Sequence, residues 1–446
     1  MKNTVFNKTL AAAAALLGLL SSCAKEPVEN LVPATSAKET VTIRLSAPAT
    51  KTSLKDDKTV LWSEGDKVVI NHTVYAVAID PENPAVATVE NVEKADEYYA
   101  VYVVNLKIAD GKDNFQYGYV DGRNDILINN ASDYQQGTFA SYRSPMVAYS
   151  KSTNLQFRNL GSVIKVGLTG NGETISNVRL SSNGAKAMAG WISITDEQIR
   201  TGDYPDLEDN QGWSFIDMYS ASTTVTLSST PTWFYFVAAP FTDESGISIA
   251  VVDSEGNAFT RVKTDAFSIG RSEIKEMSVL EYSPFRKIEL AARSIDAVSV
   301  SLGVNSEESS TVRYTAILAA AWDNYVTGNP DWTEQGLANA ILNSYGCQYV
   351  EGGEFDMDVI EAYNYTGNAV PIAAETTYKI IAQYFSCGEG IGTCAILDVT
   401  TSAATGPAPA LDVAIESITY NEIHARLTSD APSVSVWLFT KEAYDS

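Results

Sequence analysis

The chain has 446 residues, of which 45% are apolar, and its 55 acidic against 31 basic side chains give a formal net charge of −24. That length allows about three domains, and the apolar content is that of a folded protein, not a disordered stalk. A field this acidic argues against nucleic acid or anionic lipid as partners.

The first element is an export signal. Lys2 and Lys8 precede an apolar run from Leu10 to Leu20, too short to span a bilayer as a helix. Small residues follow, and Leu20-Ser21-Ser22-Cys23 resembles the lipobox of bacterial lipoproteins. The resemblance implies cleavage after residue 22 and lipidation of Cys23, so the mature chain is held by acyl chains and not by a transmembrane helix. No later run is long and apolar enough for a membrane-spanning helix. Residues 23–39, with Pro27, Pro33 and Ser36, read as a tether. Lys25-Glu26 matches part of the Lys-acid-acid signal of surface-exposed lipoproteins, and Pro27 departs from it.

From residue 40 the chain predicts strand after strand. Val41 to Leu45 alternates apolar and polar residues, as a half-buried strand does. Val68-Val69-Ile70, Tyr98 to Val104, Val163 to Leu168, Trp233 to Val237 and Ile247 to Val252 are further β-rich runs punctuated by Gly, Asn, Asp and Pro. The class is all-β, built as tandem β-sandwiches. One helix stands out. Asp331-Trp332-Thr333-Glu334 has the form of a capping box, Leu337, Ile341 and Tyr345 keep one face apolar, and Gly346 reads as the stop.

A repeat follows. Ile288 to Ile295 resembles Leu411 to Ile418, and Tyr314 to Leu318 with Ala321-Trp322-Asp323 resembles Val434 to Leu438 with Ala443-Tyr444-Asp445. The spacing is about that of one sandwich. The second copy reaches only to Ser446, which reads either as a fragment of a longer protein or as strands donated to a partner sheet.

Several landmarks occur in an order similar to the fimbrillin-like proteins of Bacteroidetes. Lys51-Thr52-Ser53-Leu54 and Val60 to Lys67, with Trp62 and Gly65-Asp66, resemble the N-terminal signature. Pro145 to Tyr149, Leu155 to Val166, Ala189-Gly190-Trp191, Trp233 to Pro240 and Ile269 to Ile274 follow. The resemblance covers residues 40–283 and implies two transthyretin-like subdomains, 40–150 and 151–283. Residues 285–402 resemble a fibronectin type III-like module, with Tyr378 in the penultimate-strand tyrosine motif, a closing strand at Asp398 to Thr401 and the helix as an insertion. Residues 410–446 would begin a second such module.

The family implies a structural or adhesive surface protein: a pilus accessory, tip or anchored subunit. Its expected partners are the outer membrane through the Cys23 lipid, other fimbrial subunits and host or bacterial surface ligands. It also implies trimming after a basic residue, for which Arg44 and Lys51 are the candidates; ordinary strand and turn charges are the alternative. A second reading is a glycan-binding lipoprotein of a polysaccharide-uptake system, with exposed tyrosines among Tyr98, Tyr99, Tyr102, Tyr117 and Tyr119 as the sugar platform.

Chemistry finds little support. His72 and His424 are the only histidines, and no nucleophile elbow, Walker loop or His-Glu-x-x-His is present. The expectation is no enzyme and no cofactor. Two acidic clusters, Asp203, Asp206, Glu208, Asp209 and Asn210, and Glu351, Glu354, Asp356 and Asp358, lack EF-hand spacing and read as solvated loops. Cys387 and Cys394 flank Gly388 to Thr393 between two apolar runs, which suggests a hairpin with facing cysteines and a disulfide; two small buried hydrophobes are the alternative.

Overall fold

The structure, a computed structural model, describes residues 39–47, 62, 65–102, 117–139, 144–209, 211–220, 224–308, 310–405, 410–419 and 422–429. It is a series of β-sandwiches. No helix among the described residues is long and apolar enough to cross a membrane.

The first sandwich packs two sheets. One runs in the order Asn154–Gln156, Thr40–Ser46, Val86–Glu93, Ala78–Ile79. The other runs Arg158–Asn159, Met146–Ser150, Tyr98–Tyr102, Lys67–Ile70, Thr73–Ala76. Alternation on Thr40–Ser46 turns Ile43 and Leu45 inward and leaves Thr42 and Arg44 exposed. The core between the sheets holds Ile43, Leu45, Val89, Leu155 and Phe157 from one side and Ile70, Ala100, Tyr102, Met146 and Ala148 from the other. Trp62 completes it, edge-on to Tyr102 at 5.1 Å and to Phe157 at 5.4 Å.

The second sheet of this sandwich is covered on both faces. Val69, Val101 and Val147 point away from the first core into a second one, where they join Ile126, Ile192 and Ile199. That explains why Tyr98–Tyr102 reads as a continuous apolar run and not as an alternation. Each valine so buried contributes on the order of 1.5–3 kcal/mol.

The second sandwich packs the sheet Thr232–Ala238, Ser162–Thr169, Ile274–Glu276 against a larger one. The larger runs Ala258–Lys263, Ile247–Asp253, Thr174–Ser182, Phe215–Tyr219, Ala131–Asp133. A further sheet, Gly212–Trp213, Ala189–Thr195, Arg123–Ile128, Tyr117–Val120, completes the unit. Helix α1 (Asp196–Thr201) follows Ala189–Thr195 and carries a capping box in which Thr195 and Gln198 satisfy each other's backbone.

The boundary expected at residue 150 does not divide these units. Residues 123–133 pair with strands of the second sandwich, and residues 154–159 return to the first. The chain passes between the two because each contributes edge strands to the other's neighbourhood. Local patterning carries no mark of which sheet a strand will join.

A third unit is built from strands between Glu289 and Thr400. Glu289–Ile295, Val300–Asn305 and Glu354–Val359 form one sheet. Ala369–Pro371, Glu361–Tyr363, Thr311–Leu318, Thr377–Ser386 and Glu389–Thr400 form the other, with Gln348–Glu351 also on Thr311–Leu318. Tyr378, on the penultimate strand, accepts a hydrogen bond at its hydroxyl from the Ala373 amide five residues upstream at 2.8 Å. This is the tyrosine corner of immunoglobulin-like sandwiches.

The insertion holds two helices, not one. Helix α2 (Ala319–Gly328) continues directly from Thr311–Leu318, and α3 (Glu334–Ser344) follows. The cap differs from the expected one. Thr333 is the N-cap of α3 and its hydroxyl accepts from Gly336 N at 3.0 Å, while Asp331 stays outside. The register follows the apolar face: Leu337, Ala338, Ile341 and Leu342 must meet the sheet. Tyr345 ends the helix in extended conformation, so Gly346 is not a left-handed stop. Together with Trp322 these residues cover Ile317, Ile381 and Cys394, so this sheet too is buried on both faces.

The repeat is visible as geometry. Glu289–Ile295 pairs with Val300–Asn305, and Leu411–Ile418 pairs with Ile423–Ser429. Both hairpins shift register at the equivalent place, between Ala292 and Ser294 and between Ile415 and Ser417. The matching stretches at Val434 to Leu438 and Ala443 to Asp445 lie outside the described residues.

Candidate binding surface

The sequence candidates scatter. Cys23 and Lys51 lie outside the described residues. Arg44 is in the middle of Thr40–Ser46, which pairs with Val86–Glu93 on one side and Asn154–Gln156 on the other; its amide donates to Thr153 O at 2.8 Å. Its side chain is exposed but its backbone is inside a sheet.

Cys387 and Cys394 are both free and do not face each other. The expected loop Gly388 to Thr393 is not the turn. The hairpin reverses at Cys387-Gly388, with φ of 56° and 77°, and Ser386 pairs with Glu389. Residues 389–394 therefore belong to the strand. Cys394 is buried beneath the helices, and burial pushes its thiol up to about 12. Gln335 of α3 holds the Cys394 backbone, donating to its carbonyl at 3.0 Å and accepting from its amide at 2.7 Å.

His72 has partners that its sequence context did not reveal. It stands in a turn with φ 66°, 3.3 Å from the Asp196 carboxylate, and stacks on Tyr119 at 3.7 Å. His424 stands beside Glu422 on the last hairpin at 3.3 Å. Of the tyrosines weighed as a platform, Tyr98 and Tyr102 are core residues. Tyr99 is half-buried, donates to Glu97 at 2.6 Å and lies 5.2 Å from the Tyr149 ring. The acidic residues disperse as well: Asp209 pairs with Lys186 at 2.6 Å, Asp206 with Arg271 at 3.5 Å and Asp356 with Arg293 at 3.4 Å. Among the described residues no three His, Cys, Asp or Glu side chains are grouped to hold a metal ion.

The structure gathers a different set, in the third unit. Tyr345, just past α3, stacks on Tyr363 with centroids 5.1 Å apart and planes 17° apart. Tyr325 of α2 meets the Tyr345 hydroxyl with its own and lies 5.1 Å from the Tyr365 ring. Burial first, and then the Tyr325 hydroxyl, raise the Tyr345 pKa. Tyr365 is 53% exposed. The insertion and the hairpin of Glu361–Tyr363 with Ala369–Pro371 thus share one aromatic cluster. Gly346 makes room for it: a Cβ there would collide with the Tyr363 hydroxyl.

Beside this cluster is a cleft of about 280 Å³. Its floor is a gap in a sheet edge. Gln348–Glu351 pairs with Thr311–Leu318 only as far as Tyr314, and Glu361–Tyr363 joins the same edge only at Ile317. Thr315 and Ala316 have no strand partner there, and both line the cleft. Tyr363 forms an aromatic wall, and Tyr314, Gln348, Asp358 and Glu361 supply polar groups. Desolvation raises the Tyr314 pKa. The helix expected at residues 331–345, a departure from a plain type III module, pointed to this region, and Tyr363-Asn364-Tyr365 is a further signal that could have found it.

The third unit is joined to the second. Arg179 is buried, bonds Asp217 through two nitrogens at 2.8 and 2.6 Å, and reaches Glu389 at 2.6 Å. Thr393 N donates to Gly256 O at 2.9 Å and Phe285 N to Ala258 O at 2.7 Å.

No family model matches the chain, and no curated protein matches it. Among solved structures, a proposed cell adhesion protein from Bacteroides ovatus is similar over 52% of this chain and 90% of its own, at 12% identity and a TM-score of 0.33. A second, from Bacteroides uniformis, is similar over 54% of this chain and 93% of its own, at 13% identity and 0.28. The tip fimbrial protein Mfa3 from Porphyromonas gingivalis, with a C-terminal truncation, is similar over 50% and 81%, at 9% and 0.23. At these TM-scores the likenesses carry no weight for fold or function.

Proposed function

We propose that the protein is a lipid-anchored, cell-surface member of the fimbrillin-like class with a structural or adhesive role, not an enzyme. The observation that supports this most is the ordered set of signature residues, with Trp62 in the first core and Gly65 in a turn at φ 87°. The anchor is the Cys23 lipid at the outer membrane. Beyond it, serial sandwiches offer surfaces to other subunits or to ligands on host and bacterial cells.

Maturation by a protease specific for basic residues would use Lys51 or Arg44. At Arg44 the scissile bond has to leave a strand paired on both edges, so cleavage there requires local opening of the sheet. A second reading, a glycan-binding lipoprotein of a polysaccharide-uptake system, is favoured by the aromatic cleft of the third unit.

Two measurements test the first reading. Metabolic labelling with a fatty acid should mark the parent and not Cys23→Ala. Protease added to intact cells should remove an epitope in residues 289–400. An epitope that stays protected until the cells are lysed rules out surface display.

A further inference from the structure

We infer that the cleft between Gln348–Glu351 and Glu361–Tyr363 is a binding site for a neutral sugar ring, presented by the helical insertion of the third unit. Three observations converge on it. The cleft interrupts a sheet edge, leaving Thr315 and Ala316 without a strand partner where every other residue of Thr311–Ile317 is paired on that side or lies beyond the gap. One wall is the ring of Tyr363, held in place by its stack on Tyr345. The rest of the rim carries hydrogen-bonding groups that the protein does not use. The carboxylates of Asp358 and Glu361, the Gln348 amide and the Tyr314 hydroxyl make no hydrogen bond or ion pair among the described residues, although each lines the cleft.

Such a set fits a pyranose. The apolar C–H face of a sugar packs on an aromatic ring. Its hydroxyls donate to carboxylates, which accept only, and exchange hydrogen bonds with an amide and a phenol. The volume is near the lower end of the ~300–1,000 Å³ typical of small-molecule sites, enough for a short segment of glycan and not for a buried polymer. No Lys or Arg lines the cleft, and two acids do, within a chain of net charge −24. Sialylated, sulfated and uronic-acid glycans are therefore repelled, and neutral hexoses and N-acetylhexosamines are accepted.

This deepens the glycan-binding reading and rests on it, but it is tested on the purified full chain, so surface display plays no part in the outcome. The probe is an immobilised panel of neutral gluco-, galacto-, manno- and N-acetylglucosamine oligosaccharides beside sialylated and uronic-acid glycans. The parent should bind at least one neutral member and no anionic one. Asp358→Asn and Glu361→Gln, both surface changes, should each weaken that binding about tenfold. Tyr363→Ala, which removes the aromatic wall, should abolish it, and binding by a folded Tyr363→Ala at parental strength would also overturn the inference. Thermal melts check that each variant is folded. The inference is overturned if the folded parent binds no neutral glycan, if it binds only anionic ones, or if the two carboxylate variants bind as the parent does. Protease shaving of intact cells is an independent readout, so loss of one reading leaves the other standing.

Discussion

The first two sandwiches and the third unit meet one problem with different solutions. Each contains a sheet that is apolar on both faces. In the first sandwich the outer face, Val69, Val101 and Val147, is covered by the neighbouring sandwich. In the third unit the outer face, Ile317, Ile381 and Cys394, is covered by α2 and α3. The first solution fuses two units into one core. The second closes the unit with its own insertion, and its helices bring Tyr325 and Tyr345 to the edge of a cleft.

The sharpest way to break this contrast is Val147→Asp. A carboxylate placed in the shared layer has no partner, and the expected cost is about 4 kcal/mol or more. Hydrogen exchange should show Thr40–Ser46 and Ile247–Asp253 losing protection together while Thr377–Ser386 keeps its own. If only Thr40–Ser46 is lost, the two sandwiches are not one cooperative body.

The converse is Ile341→Ala in α3. Removing this buried side chain should cost about 2–5 kcal/mol, felt in the third unit alone. Denaturant unfolding should show the third unit's transition moving and the N-terminal transition unchanged. In the same variant the Cys394 thiol, otherwise inert beneath the helices, should react with an alkylating reagent. Unchanged reactivity would mean that the helices are not what shields it.

The smallest effect refines the picture within the insertion. Thr333→Ala removes the hydroxyl that caps α3 and should cost about 1 kcal/mol. Exchange should quicken in the first turn of α3 only, and Asp331→Ala should leave it unchanged. Equal effects from both would restore the cap expected from Asp331-x-x-Glu334.

Much of the fold was legible in the chain, for identifiable reasons. Thr40–Ser46 alternates because one face is wet. Tyr378 stands in the penultimate-strand tyrosine motif to which the type III resemblance points. The tandem repeat survived as a shared register shift. What stayed hidden depends on contacts between segments far apart in sequence. Residues 123–133 look like any other strands, and nothing local says that they join the second sandwich. Helix α2 has Leu318 at its N-cap, with no side-chain hydrogen bond to announce it. The cleft draws Tyr314, Gln348, Asp358 and Tyr363 from separate segments of the chain, and Asp358 read only as one acid in a solvated cluster. The cysteine pair was misjudged because a two-residue turn at Cys387-Gly388 displaces Cys394 along the strand.

The crossing of the chain between the first two sandwiches also fixes an order of events. Arg44 pairs with Asn154, 110 residues later, so the Thr40–Ser46 strand waits for its second neighbour until nearly the whole of the first sandwich has been delivered. By then residues 123–133 have been delivered too, but their partners Ala189–Thr195 and Phe215–Tyr219 have not. A chain entering a compartment N-terminus first has every strand of the first sandwich by Asn159, while residues 123–133 still wait for the second. The distance between Arg44 and Asn154 makes their pairing slow relative to the hairpins around it. The third unit, whose strands all come from one continuous stretch, has no such wait.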